Sequence, residues 1–217
     1  MDIRLIIEGS CLPAIVGISR GEEVVQVIEL DSHKQRSSDL VIAIQQLFRT
    51  VGATYSQCSE VICGLGPGSY TGLRVTLSAV KAMVYATGAR FAGIESFVSW
   101  IPFQHPDPHH VAVIDSALKE KLFYRNYLRN SEGNWLLDND LEIITGEESA
   151  LRLSHADWIT GPEAIRRQKS NPVPSIDRLK ALVAATRIYP QLVHTDVWLA
   201  EPLYLRGSSA EENVKKA

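Results

Sequence analysis

A glycine-rich turn is the segment of this sequence whose composition best suits direct chemistry. It runs Gly64-Leu65-Gly66-Pro67-Gly68-Ser69-Tyr70-Thr71-Gly72 and lies between an apolar run and a helical pattern. Such a turn aims backbone N–H groups and the positive end of a helix dipole at one point, which suits a phosphate or a carboxylate. The turn lacks the lysine of a Walker motif and the spacing of a dinucleotide motif. The pattern therefore leaves open two interpretations, a tight structural turn and an anion contact.

Acidic and histidine side chains elsewhere give weaker signals for catalysis or metal binding. Asp115 ends an apolar run, with Glu120 five residues further on, and a carboxylate in such a place either acts in catalysis or caps a turn. His105 and His109 have the spacing of a zinc-binding helix, but two prolines between them exclude the helical turn that would bring both rings to one side. We therefore predict no metal site, and both interpretations of Asp115 stay open.

The cysteines and the charge balance exclude two further classes of function. Cys11, Cys58 and Cys63 are an odd number without C-x-x-C spacing, so we expect buried thiols and not a disulfide framework or a tetrahedral metal site. The formal net charge is −3, whereas binding of phosphate backbones from bulk solution uses a concentrated excess of Lys and Arg. The basic group Arg166-Arg167-Lys169 is interpreted as a solvated helix face, with RNA contact as the alternative. Any action on nucleic acid would then need a partner.

Composition places the chain among ordinary globular proteins. Its 217 residues are 45% hydrophobic and 22% charged, which is enough to bury a sizeable core. The longest apolar runs, such as residues 40–44, are far shorter than the roughly 20 residues that cross a bilayer, and residues 1–4 do not open a signal peptide. We therefore expect a cytoplasmic protein.

Hydrophobic periodicity predicts the elements that must position these groups. Three β-branched runs separated by turns predict an antiparallel meander at residues 3–7, 14–18 and 24–28. A helix at 38–51, a strand at 61–63, a helix at 71–87 and a strand at 90–94 complete an order typical of the α/β class. Proline-rich residues 102–108 predict a linker between an N-terminal lobe of residues 1–101 and a smaller C-terminal lobe of residues 102–217. In the second lobe we expect strands at 110–114 and 122–128 and a helix near 176–188.

The predicted helix at 71–87 is unusual because its apolar residues are spread around nearly the whole circumference. Arg74 and Lys81 are its only charged residues. A surface helix should have a polar face, so this pattern predicts a helix that is covered on both sides. The cover is either the rest of this chain or another molecule, and the small residues Ser78, Ala82 and Ala86 would let a second helix approach closely.

The glycine-rich turn and its neighbours also carry a resemblance to a known family. The run from Gly64 to Val75, followed by Ala79-Val80-Lys81-Ala82 and by Gly93-Ile94-Glu95-Ser96-Phe97, resembles the motifs of the bacterial tRNA threonylcarbamoyladenosine biosynthesis proteins called TsaB or YeaZ. Weaker similarity covers residues 40–44, residues 113–115 and the tail Pro202-Leu203-Tyr204-Leu205-Arg206. The sequence is identified as a member of this family on the length and specificity of the first match.

The resemblance implies an actin-like ATPase fold (ribonuclease H-like, ASKHA) in two lobes, with the last helix packing back on the first lobe. It also implies a non-catalytic scaffold subunit, without cofactor or metal of its own, that pairs with and activates a TsaD-like transferase. Together with a TsaE-like ATPase, that pair transfers a threonylcarbamoyl group to adenosine in tRNA, and tRNA is contacted indirectly through the complex. A homodimer of the isolated chain is also compatible with the family.

In the family the partner is bound through the first two helices. On this chain the expected interface residues are therefore those of the predicted helices and of the turn before the second one: Leu40, Ile44, Leu47, Gly68, Ser69, Tyr70, Thr71, Leu73, Arg74, Leu77, Val80, Lys81 and Val84.

Several positions depart from the family pattern. Glu8 replaces the aspartate of the first phosphate motif, Ser116-Ala117 replaces an Ala-Arg pair, Arg36 replaces a histidine and Ile42 replaces a proline. These changes weaken independent ATP chemistry, and the last two alter contacts of the first helix. The alternative function is a small ATP-dependent phosphotransferase of the same fold, in which Glu8 and Asp115 would organise Mg²⁺ and the glycine-rich turn would contact phosphate.

Overall fold

The first lobe is built on one mixed sheet. A computed structural model describes residues 2–30, 37–118, 120–168 and 170–203 of the chain. The elements of the first lobe are β1 (Ile3–Glu8), β2 (Ala14–Arg20), β3 (Glu23–Leu30), α1 (Ser37–Thr50), β4 (Cys58–Gly64), α2 (Tyr70–Thr87) and β5 (Arg90–Ile94). The strand order is β3-β2-β1-β4-β5, with an antiparallel meander from β1 to β3 and parallel pairing of β1 with β4 and of β4 with β5. The predicted α/β class and meander are confirmed.

The second lobe has a second sheet with shorter and less regular elements. They are β6 (His110–Leu118), β7 (Lys121–Arg129), β8 (Trp135–Leu137), β9 (Glu142–Ile144), α3 (Gly146–Leu153), β10 (Trp158–Thr160), α4 (Pro162–Arg166) and α5 (Ser175–Ile188). The strand order is β10-β6-β7-β8, and β9 also pairs with β7. The sequence predicted β6, β7 and α5 of this lobe. It did not predict the short elements β8, β9, α3, β10 and α4, because so few residues do not establish a period.

Successive side chains of each strand point to alternate faces of its sheet, and this divides the core into layers. In β1, Leu5 and Ile7 pack with α1 and α2, whereas Ile6 points to the opposite side and packs with residues of the second lobe. In β6, Val113 packs in that shared layer, and Ile114 faces the outer side of the second sheet. Successive side chains of a strand point to opposite faces, so each sheet contributes to two layers.

Helix α5 lies in the layer that the two sheets share. Leu179 and Leu182 of this helix are fully buried there. A Cβ atom on Gly17 of β2 would overlap the side chain of Leu179, so α5 packs directly on the first sheet at a position where only glycine fits. On the surface, Arg187 of α5 forms an ion pair of 2.7 Å with Glu22.

Three segments lie side by side on the other face of the first sheet. Helix α1 packs on β2 and β3, and α2 packs on β4. Residues 193–203 follow on the far side, where His194 exchanges backbone hydrogen bonds of 2.8 Å with Gly93 of β5, and the N–H of Leu203 donates to the carbonyl of Leu65. We call the solvent side of α1, α2 and residues 193–203 the outer helical face. No helix in the described ranges is long and apolar enough to span a membrane.

Candidate protein-interaction surface

Local sequence sets the two ends of α2. The side-chain oxygen of Ser69 accepts a hydrogen bond from the N–H of Gly72, which satisfies one of the free donors of the first turn. Gly88 ends the helix at φ 67°, and its N–H donates to the carbonyl of Val84 at 2.9 Å. This left-handed conformation favours glycine, which lacks a Cβ atom.

One face of α2 packs on the sheet and the opposite face does not. Leu73, Thr76, Leu77 and Val80 are buried beneath the helix. A second row of α2 side chains faces solvent in the part of the chain that the structure describes: Arg74, Ser78, Ala82, Tyr85 and Ala86. The interpretation of a helix covered entirely by its own chain is therefore wrong. The exposed row contains small and apolar residues with one cation at its start, so a partner helix could approach closely.

Helix α1 divides its apolar residues in the same way. Leu40, Ile44 and Leu47 recur at the spacing of one helix face and are at most 5% exposed. Val41 and Ile42 lie outside that spacing, and each side chain is 58% exposed. Two adjacent β-branched residues therefore lie on the solvent side of α1.

The structure buries six of the expected interface residues. These side chains are at most 6% exposed and pack inside the chain's own first lobe: Leu40, Ile44, Leu47, Leu73, Leu77 and Val80. Among the other expected residues, Ser69, Tyr70, Thr71 and Arg74 are exposed, and Gly68, Lys81 and Val84 are half-buried. Four residues that the sequence prediction did not name are exposed on the outer helical face: Val41, Ile42, Ala82 and Tyr85. The signal that could have found Val41 and Ile42 was their position outside the i, i+4, i+7 stripe.

The glycine-rich turn uses its backbone donors within the chain. Four of its N–H groups find protein acceptors, namely Leu65 on the Ile94 carbonyl, Gly66 on the Ser96 hydroxyl, Ser69 on the Ser10 carbonyl and Gly72 on the Ser69 hydroxyl. Gly68 lies at φ 153°, and a Cβ atom there would overlap the Ser10 carbonyl. Of the two interpretations of the turn, the geometry supports the structural one, because these donors are not free to hold an anion.

A cleft between the lobes is lined by residues near two of the positions that depart from the family pattern, Glu8 and Ser116. Its walls include Ser10 and Tyr70 of the first lobe and Asp115 and Arg166 of the second. The Asp115 carboxylate accepts hydrogen bonds from the N–H of Ser116 at 2.7 Å and from Nη2 of Arg166 at 2.8 Å. Burial raises the pKa of Asp115 to about 6, although both of these bonds oppose the shift. Asp115 is therefore a carboxylate within β6 that is paired with Arg166.

Glu8 is buried in the first lobe and is not among the residues that line this cleft. Its side chain is fully buried, and Oε1 accepts a hydrogen bond of 2.7 Å from the N–H of Ser10, two residues further along the chain. The other carboxylate oxygen fills the space beside Gly64, where a Cβ atom would overlap it. Glu8 and Asp115 therefore do not form a common Mg²⁺ site in this arrangement.

The histidines and cysteines occupy structural positions. The ring of His105 packs against Trp158 at 4.9 Å between centroids, while the N–H of His109 donates to Asp157. All three cysteines are free and buried, as the sequence predicted, and burial raises their pKa values. Within the described residues, no three His, Cys, Asp or Glu side chains are grouped as metal ligands, so the donors present do not fit a metal centre.

The basic group after β10 is largely neutralised. Arg166 pairs with Asp115 and Glu163, and Arg167 pairs with Glu163 at 2.8 Å. Lys169 lies outside the described residues. Guanidinium groups that are already paired with carboxylates neutralise fewer phosphates and so release fewer counterions from a nucleic acid. This favours the solvated-face interpretation.

Two solved structures share this fold over their whole length and over almost all of this chain. An uncharacterized protein with similarity to the peptidase YeaZ, from Pseudomonas aeruginosa, superimposes with a TM-score of 0.76 at 17% identity and covers 95% of this chain and 100% of its own. YeaZ from Pseudomonas aeruginosa gives 0.74 at 17% identity, with 94% and 100% covered. These likenesses confirm the predicted two-lobed actin-like fold.

A family comparison adds evidence from the sequence. The family model of TsaD, tRNA N6-adenosine threonylcarbamoyltransferase, matches residues 28–141, just over half of the chain. The matched range begins near the end of β3 and includes both helices of the outer helical face, the glycine-rich turn and the paired strands β6 and β7. With this match and the YeaZ-like fold, the chain belongs to the TsaD family of tRNA N6-adenosine threonylcarbamoyltransferases.

Proposed function

We propose that this chain is a non-catalytic subunit of the tRNA threonylcarbamoyladenosine machinery, which binds and activates a TsaD-like transferase through its outer helical face. The observation that carries the proposal is the exposed row of α2. Ser78 and Ala82 leave a shallow, small-residue path along the helix, and Val41 and Ile42 of α1 add exposed apolar side chains. Exposed apolar surface on neighbouring helices is typical of protein contacts.

The cleft between the lobes supports a role without catalysis. Glu8 is buried and accepts a hydrogen bond from the N–H of Ser10, and Asp115 is paired with Arg166. N–H groups of the glycine-rich turn donate to acceptors of the chain itself. A phosphotransferase of this fold would instead need carboxylates and backbone donors directed at Mg²⁺ and phosphate. The alternative function therefore has no geometric support among the described residues.

The remaining parts of the proposal rest on the resemblance of the sequence motifs to TsaB or YeaZ proteins. The transferase pair would act with a TsaE-like ATPase, and tRNA would be contacted through the complex, which agrees with the net charge of −3. A cytoplasmic location belongs to the same proposal. Self-association of the isolated chain would use the outer helical face when the transferase is missing.

Co-expression with the TsaD-like protein of the same organism, followed by size-exclusion chromatography, tests the proposal. We expect a stable complex for the unmodified chain and none for Ala82→Arg or Ile42→Arg, because each change places a bulky cation on the proposed contact surface. Leu151→Arg is the matched control, since Leu151 is 70% exposed on α3 of the other lobe. Co-elution of all three variants would contradict the outer helical face as the contact surface.

A further inference from the structure

Three large apolar side chains stand out from the far edge of the outer helical face. Tyr85 of α2 is 81% exposed, Trp198 is 59% exposed and Leu199 is 79% exposed. The rings of Tyr85 and Trp198 meet edge to face, with centroids 6.3 Å apart. We call these three residues the aromatic patch. Aromatic residues dominate the energetics of protein interfaces, and a cluster with this exposure is costly to leave in water.

The backbone beneath the patch holds it in place. The Asp196 carboxylate accepts hydrogen bonds from the N–H groups of Trp198 and Leu199 at 2.8 and 3.3 Å. Nζ of Lys81 donates to the carbonyl of Trp198 at 3.3 Å, so α2 anchors the segment from the other side. Val197 and Ala200, on either side of the exposed pair, are buried in the core. The patch is therefore presented in one conformation, which lowers the entropy lost on binding.

The size of the patch indicates what covers it. Together the three side chains expose on the order of 400 Å², about half of the roughly 800 Å² that each partner contributes to a standard interface. Tyr85 belongs to the same exposed row of α2 as Ala82, so the rest of the required area lies on the adjoining helices. A single partner that covers the exposed row would also cover the patch.

The charges of this surface balance. Within the described residues the outer helical face carries three cations, Arg49, Arg74 and Lys81, and three carboxylates, Asp39, Asp196 and Glu201. The chemistry that the surface selects is therefore apolar, and a partner must present apolar area large enough to cover the exposed row and the patch together.

From these observations we propose that Tyr85, Trp198 and Leu199 form a hot spot of the contact with the TsaD-like transferase and extend it beyond the two helices to residues 196–200. This inference rests on the proposed function, because it takes the partner from there. It adds that the partner has an apolar surface which packs against the edge of Trp198.

The test is a titration of the TsaD-like protein of the same organism with Trp198→Ala, Leu199→Ser and the control Leu151→Ser. We expect the dissociation constant to rise at least tenfold for Trp198→Ala and to change less than twofold for the control. The exposed position of Trp198 leaves the fold intact in the variant, which circular dichroism would verify. In the wild-type complex, the partner should also protect tryptophan fluorescence from acrylamide quenching, and Trp198→Phe should abolish that protection.

The outcomes separate the two proposals. Unchanged affinity of both patch variants, with binding lost in Ala82→Arg, would overturn the hot spot and leave the proposed function standing. No binding by the wild-type chain would overturn both. If the patch variants alter only the dimerisation of the isolated chain, the patch belongs to a contact between two copies and the inference is wrong.

Discussion

The carboxylate of Glu95 lies 3.6 Å from Nη1 of Arg125, and the pair is buried where the end of β5 meets β7 of the second lobe. The hydroxyl of Tyr127 donates to the other oxygen of Glu95 at 3.3 Å. This polar contact joins the two sheets inside the mostly apolar layer that they share. Burial outweighs the attraction of Arg125 and raises the pKa of Glu95 to about 7.

This shift predicts that the stability of the protein falls as the pH rises from about 4.5 to about 7. In that window the folded state keeps the proton on Glu95 while the unfolded state, with the ordinary pKa of 4.5, has lost it. The free energy of unfolding therefore decreases with pH, by on the order of 1 to 3 kcal/mol for this group. Glu95→Gln should reduce the slope, measured by urea denaturation between pH 5 and 8.

Two comparisons isolate the contribution of Glu95. Asp115, with its pKa raised to about 6, adds a slope of the same sign that Asp115→Asn should remove separately. Glu22→Gln serves as the control, because Glu22 is exposed in a surface ion pair and should leave the slope unchanged. An identical pH slope in wild type and Glu95→Gln would show that Glu95 does not titrate in this window.

Neighbouring positions of α2 should respond oppositely to the same substitution. Val80→Arg places a charge in the core, where Val80 is fully buried, and should lower the free energy of unfolding by several kcal/mol or prevent folding. Ala82→Arg, two residues further on the exposed side, should change stability by less than about 1 kcal/mol. Thermal unfolding of both variants checks the assignment of the two faces. Equal destabilisation would mean that α2 is oriented differently.

The glycine-rich turn should tolerate no side chain at Gly68. A Cβ atom there would overlap the backbone carbonyl of Ser10, so Gly68→Ala forces apart two loops of the first lobe and should cost more than about 2 kcal/mol. Gly21 is the matched control, because it also has a positive φ, 61°, but open space around its Cα. Gly21→Ala should cost only about 1 kcal/mol of backbone strain. Similar losses in denaturant unfolding would argue against the tight contact.

Isothermal titration with ATP and Mg²⁺ should detect no micromolar binding to the isolated protein. The reason is that Arg166 pairs with the Asp115 carboxylate, whereas the Glu8 carboxylate is fully buried beside the N–H of Ser10. Phosphate release should remain at background and be unaffected by Asp115→Ala. Micromolar binding with turnover that disappears in Asp115→Ala would instead establish the phosphotransferase.

Local patterns in the sequence were sufficient for the long elements. Ser69 and Gly88 bracket α2 because a cap and a left-handed glycine act within one helical turn. The β-branched runs predicted β1 to β3, and the apolar stripe of α1 predicted its helix, because both periods repeat several times within the element. The buried state of the cysteines also followed from their number and spacing.

Which apolar residues stay exposed depends on packing between distant segments and could not be predicted from the sequence. Leu40 and Val41 are equally apolar neighbours, yet the first is buried and the second exposed, because the sheet and α2 determine how α1 is rotated. The pairing of Asp115 with Arg166 joins residues 51 positions apart. Tyr85 and Trp198 meet only because residues 193–203 return beside α2. Periodicity reports contacts within a few residues, whereas these relationships depend on packing between segments that are distant in the chain.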